Sequence, residues 1–180
     1  RSAEVHFYAE DMITKMGSIT IIQLEADQSD HSKDMVFRAR VNFSNDFICR
    51  LPIYPEPYSE YYYDFYVDWG DGTIEYYNSH IWDENYKSKV VHKYEGLSEG
   101  KTFEIRVSGI VESLRGSYVN GTAVEAHENS ITEVVQWGNT GLKDLSNAFA
   151  GYSMLKSIPE DNSYAFAEVT DFSYAFHSCV

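Results

Sequence analysis

Positive charge is scarce in this chain: 14 Lys and Arg stand against 28 Asp and Glu, for a net charge of −14 over 180 residues. A duplex-binding surface needs clustered basic side chains to displace counterions from phosphate. The longest basic series here is the thin run Lys87, Lys89, Lys93. Nucleic acid and anionic lipid are therefore not expected partners, whereas cations, neutral sugars and basic protein surfaces are compatible. Cysteine is scarcer still. Cys49 and Cys179 stand far apart, in no metal-ligand spacing and too few for a disulfide framework, so they are silent about compartment. No run approaches the roughly 18 apolar residues of a membrane helix, and no membrane insertion is expected. The chain opens on Arg1-Ser2 without a signal sequence, which reads as a mature or trimmed fragment and is compatible with secretion.

Catalytic motifs are missing too. His6, His31, His80, His92, His127 and His177 are scattered, with no HExxH and no pair at helical spacing. Gly151-Tyr-Ser-Met-Leu155 lacks the second glycine of a nucleophile elbow. A glycosidase needs two placed carboxylates, but with 28 acids any pair can be nominated, so none is singled out. A chain that is not an enzyme is the expectation.

What the chain does have is aromatics, 15 Tyr and 10 Phe, set in short alternating segments. In residues 35–43, Phe37, Ala39, Val41 and Phe43 fall on one face, and Arg38, Arg40 and Asn42 on the other. This period of two is that of a half-buried strand. Earlier strands are predicted near 5–8 and over 19–26. Residues 44–60 hold three of the four prolines and read as a loop. The segment Tyr61 to Tyr77 is the best hairpin. Tyr63, Phe65, Val67 and Trp69 alternate with Tyr62, Asp64, Tyr66 and Asp68, and Asp71-Gly72 then supplies the turn. Further strands are predicted at 90–94 and 102–108. Short strands with Gly-containing turns and no long amphipathic helix argue for a β-sandwich. Its expected core includes Phe37, Val41, Phe65, Val67, Trp69, Phe103, Ile105 and Val107.

Beyond about residue 125 the pattern changes. Leu142-Lys-Asp-Leu-Ser-Asn-Ala-Phe-Ala-Gly-Tyr-Ser realigns on Val169-Thr-Asp-Phe-Ser-Tyr-Ala-Phe-His-Ser-Cys-Val at an offset of 27. Ile131-Thr-Glu-Val realigns on Leu155-Lys-Ser-Ile at an offset of 24. Self-similarity on this scale signals a solenoid. Each unit is expected to give a short strand (Thr132–Val135, Lys156–Ile158) and a short helix (Leu145–Ala150, Phe172–Phe176).

Tyr66-Val-Asp-Trp-Gly-Asp-Gly-Thr73, His92-Lys-Tyr94 and Gly100-Lys-Thr-Phe-Glu-Ile-Arg-Val-Ser108 together resemble the PKD (polycystic kidney disease) domain, an Ig-like sandwich. The resemblance implies that His92 and Tyr94 are packing and hydrogen-bonding residues. Leu142, Leu145, Ala148, Phe149, Gly151, Leu155 and Ile158-Pro159, then Val169, Phe172, Ala175, Phe176 and Cys179, resemble the BspA-like leucine-rich repeats of bacterial surface proteins. Tyr152 stands where that pattern often has Cys, which implies that Cys179 is a small buried filler. The expected fold is thus mainly β: a PKD/Ig-like sandwich over residues 1–118, followed over 119–180 by about two units of a leucine-rich solenoid built of α/β repeats.

Two candidate sites follow. Asp64, Asp68 and Asp71 could hold calcium, but they lack the spacing of a self-contained calcium loop, and a structural role in the hairpin is the simpler reading. The outward rings Tyr62, Tyr66 and either Tyr76 or Tyr77, with Trp82 nearby, form a candidate sugar-stacking face; strand tyrosines also pack on cross-strand neighbours. No cofactor is expected, calcium being the one candidate. The two resemblances imply a secreted or surface-displayed module, lipid-anchored on a bacterial outer surface in its full-length form. It would bind a host protein in adhesion, with a carbohydrate-binding accessory module or a rigid spacer of a surface glycan-utilisation protein as alternatives.

Overall fold

The computed structural model describes residues 31–42, 47–55, 60–79, 90–116, 130–161 and 164–179 in full, and residues 2–8 and 15–22 by their backbone. It divides into two compact units, Arg1–His31 and Ser32–Val180. The first is an antiparallel hairpin of β1 (Ser2–Tyr8) and β2 (Lys15–Ile22). The second strand begins earlier than the expected 19–26.

In the second unit, β3 (Met35–Arg40), β4 (Phe47–Arg50), β5 (Tyr63–Asp68), β6 (Ile74–Asn78), β7 (Val91–Tyr94), β8 (Thr102–Val111) and β9 (Ile131–Gln136) form two antiparallel sheets. The larger has the order β6-β5-β8-β3-β9, and the smaller pairs β4 with β7. The long β8 lies at the centre because its first half pairs with β3 (Phe37↔Ile105) and its second with β5 (Tyr66↔Ser108). Gly109 makes the second pairing fit: a Cβ there would collide with the Asp64 carbonyl and with Phe65. The mainly β architecture is as expected, and all eight expected core side chains are buried. Burial of each contributes about 1.5–3 kcal/mol. Strand β4 was expected to be loop. Its Phe-Ile-Cys-Arg sequence does not alternate because Phe47, Cys49 and Arg50 are all buried.

The interior is largely aromatic. Tyr94 stacks on Phe103 at 4.3 Å and lies 5.6 Å from Phe47, tying the small sheet to the large one. On the outer surface Arg38 pairs with its register partners on both neighbouring strands, Glu104 of β8 and Glu133 of β9.

Strand β9 is an edge with a second partner. Its Glu133 bridges in parallel to Ser157, and a second parallel series runs Ser113, Asp144, Asp171. The 27-residue sequence match is thus a geometric repeat. Asp144 accepts the Ser146 N–H at 2.9 Å as Asp171 accepts that of Ser173 at 2.7 Å. Asn147 and Tyr174 both have φ of 57°. Gly151 at 81° matches Ser178 at 61°. These angles overturn the expected helices at Leu145–Ala150 and Phe172–Phe176. A left-handed residue every fourth position breaks a right-handed helix, so both segments are coils of linked turns, residues 144–152 and 171–179. No α-helix occurs among the described residues, and none of their helices is long and apolar enough to cross a membrane. Both cysteines are free, and Cys179 is half-buried rather than buried.

Candidate functional site

The hairpin β5–β6 sets the first candidate surface. A strand alternates its side chains, so the register Tyr66↔Tyr76 places both rings on one face. Their centroids are 4.8 Å apart, and the rings are 52% and 38% exposed. Tyr77 takes the other face, buried and stacked on Phe65 at 5.2 Å. Asp64 sits at the rim, accepting hydrogen bonds from Tyr76 Oη at 2.9 Å and Tyr62 Oη at 3.3 Å, while Asn78 donates to Tyr76 Oη at 2.9 Å. Desolvation, and then the Asp64 carboxylate, hold the Tyr62 phenol above its ordinary range. For Tyr76 the Asn78 donor lowers the pKa, but Asp64 and desolvation outweigh it and raise it. Both rings therefore stay neutral donors. Tyr62, Tyr66 and Tyr76 are brought together; Trp82 lies outside the described residues.

The three candidate calcium ligands have separate structural tasks. Asp64 holds the two tyrosines. Asp68 Oδ1 accepts the Gly70 N–H at 2.9 Å. Asp71 Oδ1 accepts the Thr73 N–H at 2.9 Å, and its other oxygen meets His92 Nε2 at 2.9 Å. Desolvation raises the Asp71 pKa, but the bonds from His92 and Thr73 outweigh it and hold the carboxyl below its ordinary value. Among the described residues no three His, Cys, Asp or Glu side chains are placed to hold a metal ion. His92 stacks on Trp69 at 5.0 Å and meets Tyr94 edge-on at 4.5 Å. It is a packing residue bridging β7 to the hairpin turn.

The residues of a second surface, on the repeats, were not singled out from the sequence. Tyr164, Phe172, Tyr174 and Phe176 are exposed to 83%, 48%, 69% and 40%. Their counterparts in the first coil differ in kind: Leu145 and Phe149, which align with Phe172 and Phe176, are fully buried. Phe149 lies flat against Phe176 with centroids 5.5 Å apart, so the second coil packs on the first. The signal was present in the alignment, where Tyr174 replaces the polar Asn147. Two kinds of contact are thus offered: a paired-ring face with a carboxylate rim, and exposed aromatic rings on and just ahead of the second coil. No protein-family model matches the chain, and no curated protein or solved structure is significantly similar to it.

Proposed function

We propose that this chain is a non-catalytic binding module, secreted or displayed on a bacterial cell surface, that holds a protein partner through its second coil. In this reading a PKD-like sandwich (1–118) carries about two units of BspA-like leucine-rich repeat (119–180). The carrying observation is that three large rings of that coil, Phe172, Tyr174 and Phe176, are exposed, with Tyr164 exposed ahead of it. Exposed apolar clusters of this kind mark protein contacts, and aromatic side chains are the residues that dominate such contacts energetically. A Phe176→Asp variant tested on an array of host matrix proteins should lose retention, while Tyr66→Ala keeps it. Retention unchanged by Phe176→Asp would remove the reading.

The Tyr66–Tyr76 pair favours a second reading, a carbohydrate-binding accessory module. Two exposed rings at 4.8 Å offer a flat apolar face, and the Asp64 carboxylate at its rim can accept from sugar hydroxyls. Under that reading Tyr66→Ala abolishes polysaccharide retention and Phe176→Asp leaves it intact.

A further inference from the structure

On the outer face of the larger sheet the register sets Tyr76, Tyr66 and Ser108 side by side on β6, β5 and β8. The neighbouring row on the same face is Asn78, Asp64 and Ile110. Ser108 is too small to cover the Tyr66 ring, and Ile110 is itself 43% exposed. An open apolar run thus crosses three strands, from Tyr76 through Tyr66 to Ile110, over about 10 Å. Asp64 lies beside this run and fixes which way its hydrogen bonds point. Tyr76 Oη donates to Asp64 Oδ1, and Tyr62 Oη donates to Oδ2. A phenol has a single proton. Asp64, Tyr62 and Tyr76 are therefore left offering a ligand only acceptors. The local charge is one-sided: residues 61–78 hold four carboxylates and no Lys or Arg. Arg106, the one base of β8, pairs with Glu104 at 3.3 Å.

We propose that this face takes an amino sugar with a free, protonated amine, its C–H face on the Tyr66 and Tyr76 rings and its ammonium donating to Asp64. The inference rests on the carbohydrate reading of the tyrosine pair and names the class of sugar. An ammonium brings three donors and no acceptor, the complement of an acceptor-only rim. A charged donor on a carboxylate makes a bond roughly twice as strong as a neutral one. The same cation gains from the electron-rich faces of the rings. An N-acetyl group in its place has no charge, and a sugar carboxylate or sulfate would set anion against Asp64. A lone arginine side chain would satisfy the carboxylate but cover little more than one ring. Three apolar side chains in line suit a chain of linked sugar rings.

The probes are three β-linked oligomers of one length, of glucosamine, N-acetylglucosamine and glucose, which differ only in the group on one ring carbon. They are titrated calorimetrically into the intact chain in mildly acidic buffer, where the amine is protonated. The glucosamine oligomer should bind at least about tenfold more tightly than the other two. Tyr66→Ala should abolish its binding. Asp64→Asn should bring it down to the level of the glucose oligomer, which keeps its own affinity. Should that variant fold poorly, raising the pH of the wild type above the pKa of the amine should remove the preference, with the glucose oligomer as reference. Equal binding of all three, lost together in Tyr66→Ala, overturns the amine and leaves the carbohydrate reading standing. Glucosamine binding that survives Tyr66→Ala overturns it as diffuse attraction of a polycation to an acidic chain. Tyr66-dependent binding of an oligoarginine peptide, with no oligosaccharide bound, overturns it in favour of a basic protein segment. Failure of all three oligomers to bind overturns it as well, and the carbohydrate reading falls with it only if the chain is also silent on a glycan array.

Discussion

The hydroxyl of Tyr94 donates to the carbonyl oxygen of Trp69 across 2.7 Å of protein interior. Tyr94 lies on β7 of the small sheet and Trp69 at the end of β5 in the large one, so one buried hydrogen bond ties the two layers. Burial drives the Tyr94 phenol far above its ordinary value, and it remains a donor throughout the accessible pH range. Tyr94→Phe should lower stability by about 1–2 kcal/mol, because the Trp69 oxygen is left without this donor. Trp69→Ala removes a fully buried ring and should cost about 3–5 kcal/mol. Urea denaturation of the two variants checks both; Trp69→Ala unfolding like wild type would break the assigned core.

Asp144 and Asp171 occupy equivalent places in the two coils but not equivalent surroundings. Asp144 is 1% exposed and takes hydrogen bonds from Ser113 Oγ and Ser146 Oγ, each at 3.1 Å, with Arg115 3.5 Å away. Asp171 is exposed and keeps the turn bond to Ser173. Asp144→Ala should cost about 3 kcal/mol by leaving buried partners unmatched. Asp171→Ala should cost about 0.5–1 kcal/mol. Equal losses in thermal or urea unfolding would contradict the burial difference.

Glu112 and Lys143 meet at 2.6 Å, and Glu112 also accepts the Tyr62 N–H at 2.9 Å. Desolvation raises the Glu112 pKa, but Lys143 and Tyr62 outweigh it and hold the carboxyl below its ordinary 4.5. The hydrogen bond to Glu112 holds Lys143 above its ordinary 10.5. A depressed carboxyl pKa gives stability that is complete above the unfolded value and is lost as pH falls through the folded one. A raised ammonium pKa gives stability that is complete below its unfolded value and is lost as pH rises through the folded one. The stability gap between wild type and Glu112→Gln should therefore be flat between ordinary Glu and ordinary Lys values and shrink on both sides. A gap independent of pH down to about pH 2 would refute the pairing.

Cys49 is fully buried, and burial pushes its thiol up to about 12. Cys179 is half-buried, its thiol donating to the Phe149 carbonyl at 2.9 Å. Thiolate is the reactive form. A thiol reagent should label Cys179 first in the native chain and reach Cys49 only on unfolding; simultaneous labelling would show the small sheet opening locally.

Alternation made most of the sandwich legible, because a sheet with one solvated face writes its period into the sequence. The segment 61–69 shows this: Tyr63, Phe65, Val67 and Trp69 are buried, and their neighbours are not. The same rule failed at Phe47–Arg50, where the pattern is buried throughout apart from Ile48. It failed again in the coils. Leu145, Ala148 and Phe149 have the spacing of a helix face, yet Asn147 is left-handed, and at the equivalent position Tyr174 gives no local sign of it. The tyrosine face was readable from alternation in β5, but the choice between Tyr76 and Tyr77 needed the register Tyr66↔Tyr76.

The most direct test of the account places the intact wild-type chain on parallel arrays of host matrix proteins and glycans, with and without a calcium chelator. The account predicts retention on proteins, insensitive to the chelator. Retention on glycans alone would move the site to Tyr66 and Tyr76, and silence on both arrays would contradict a binding function.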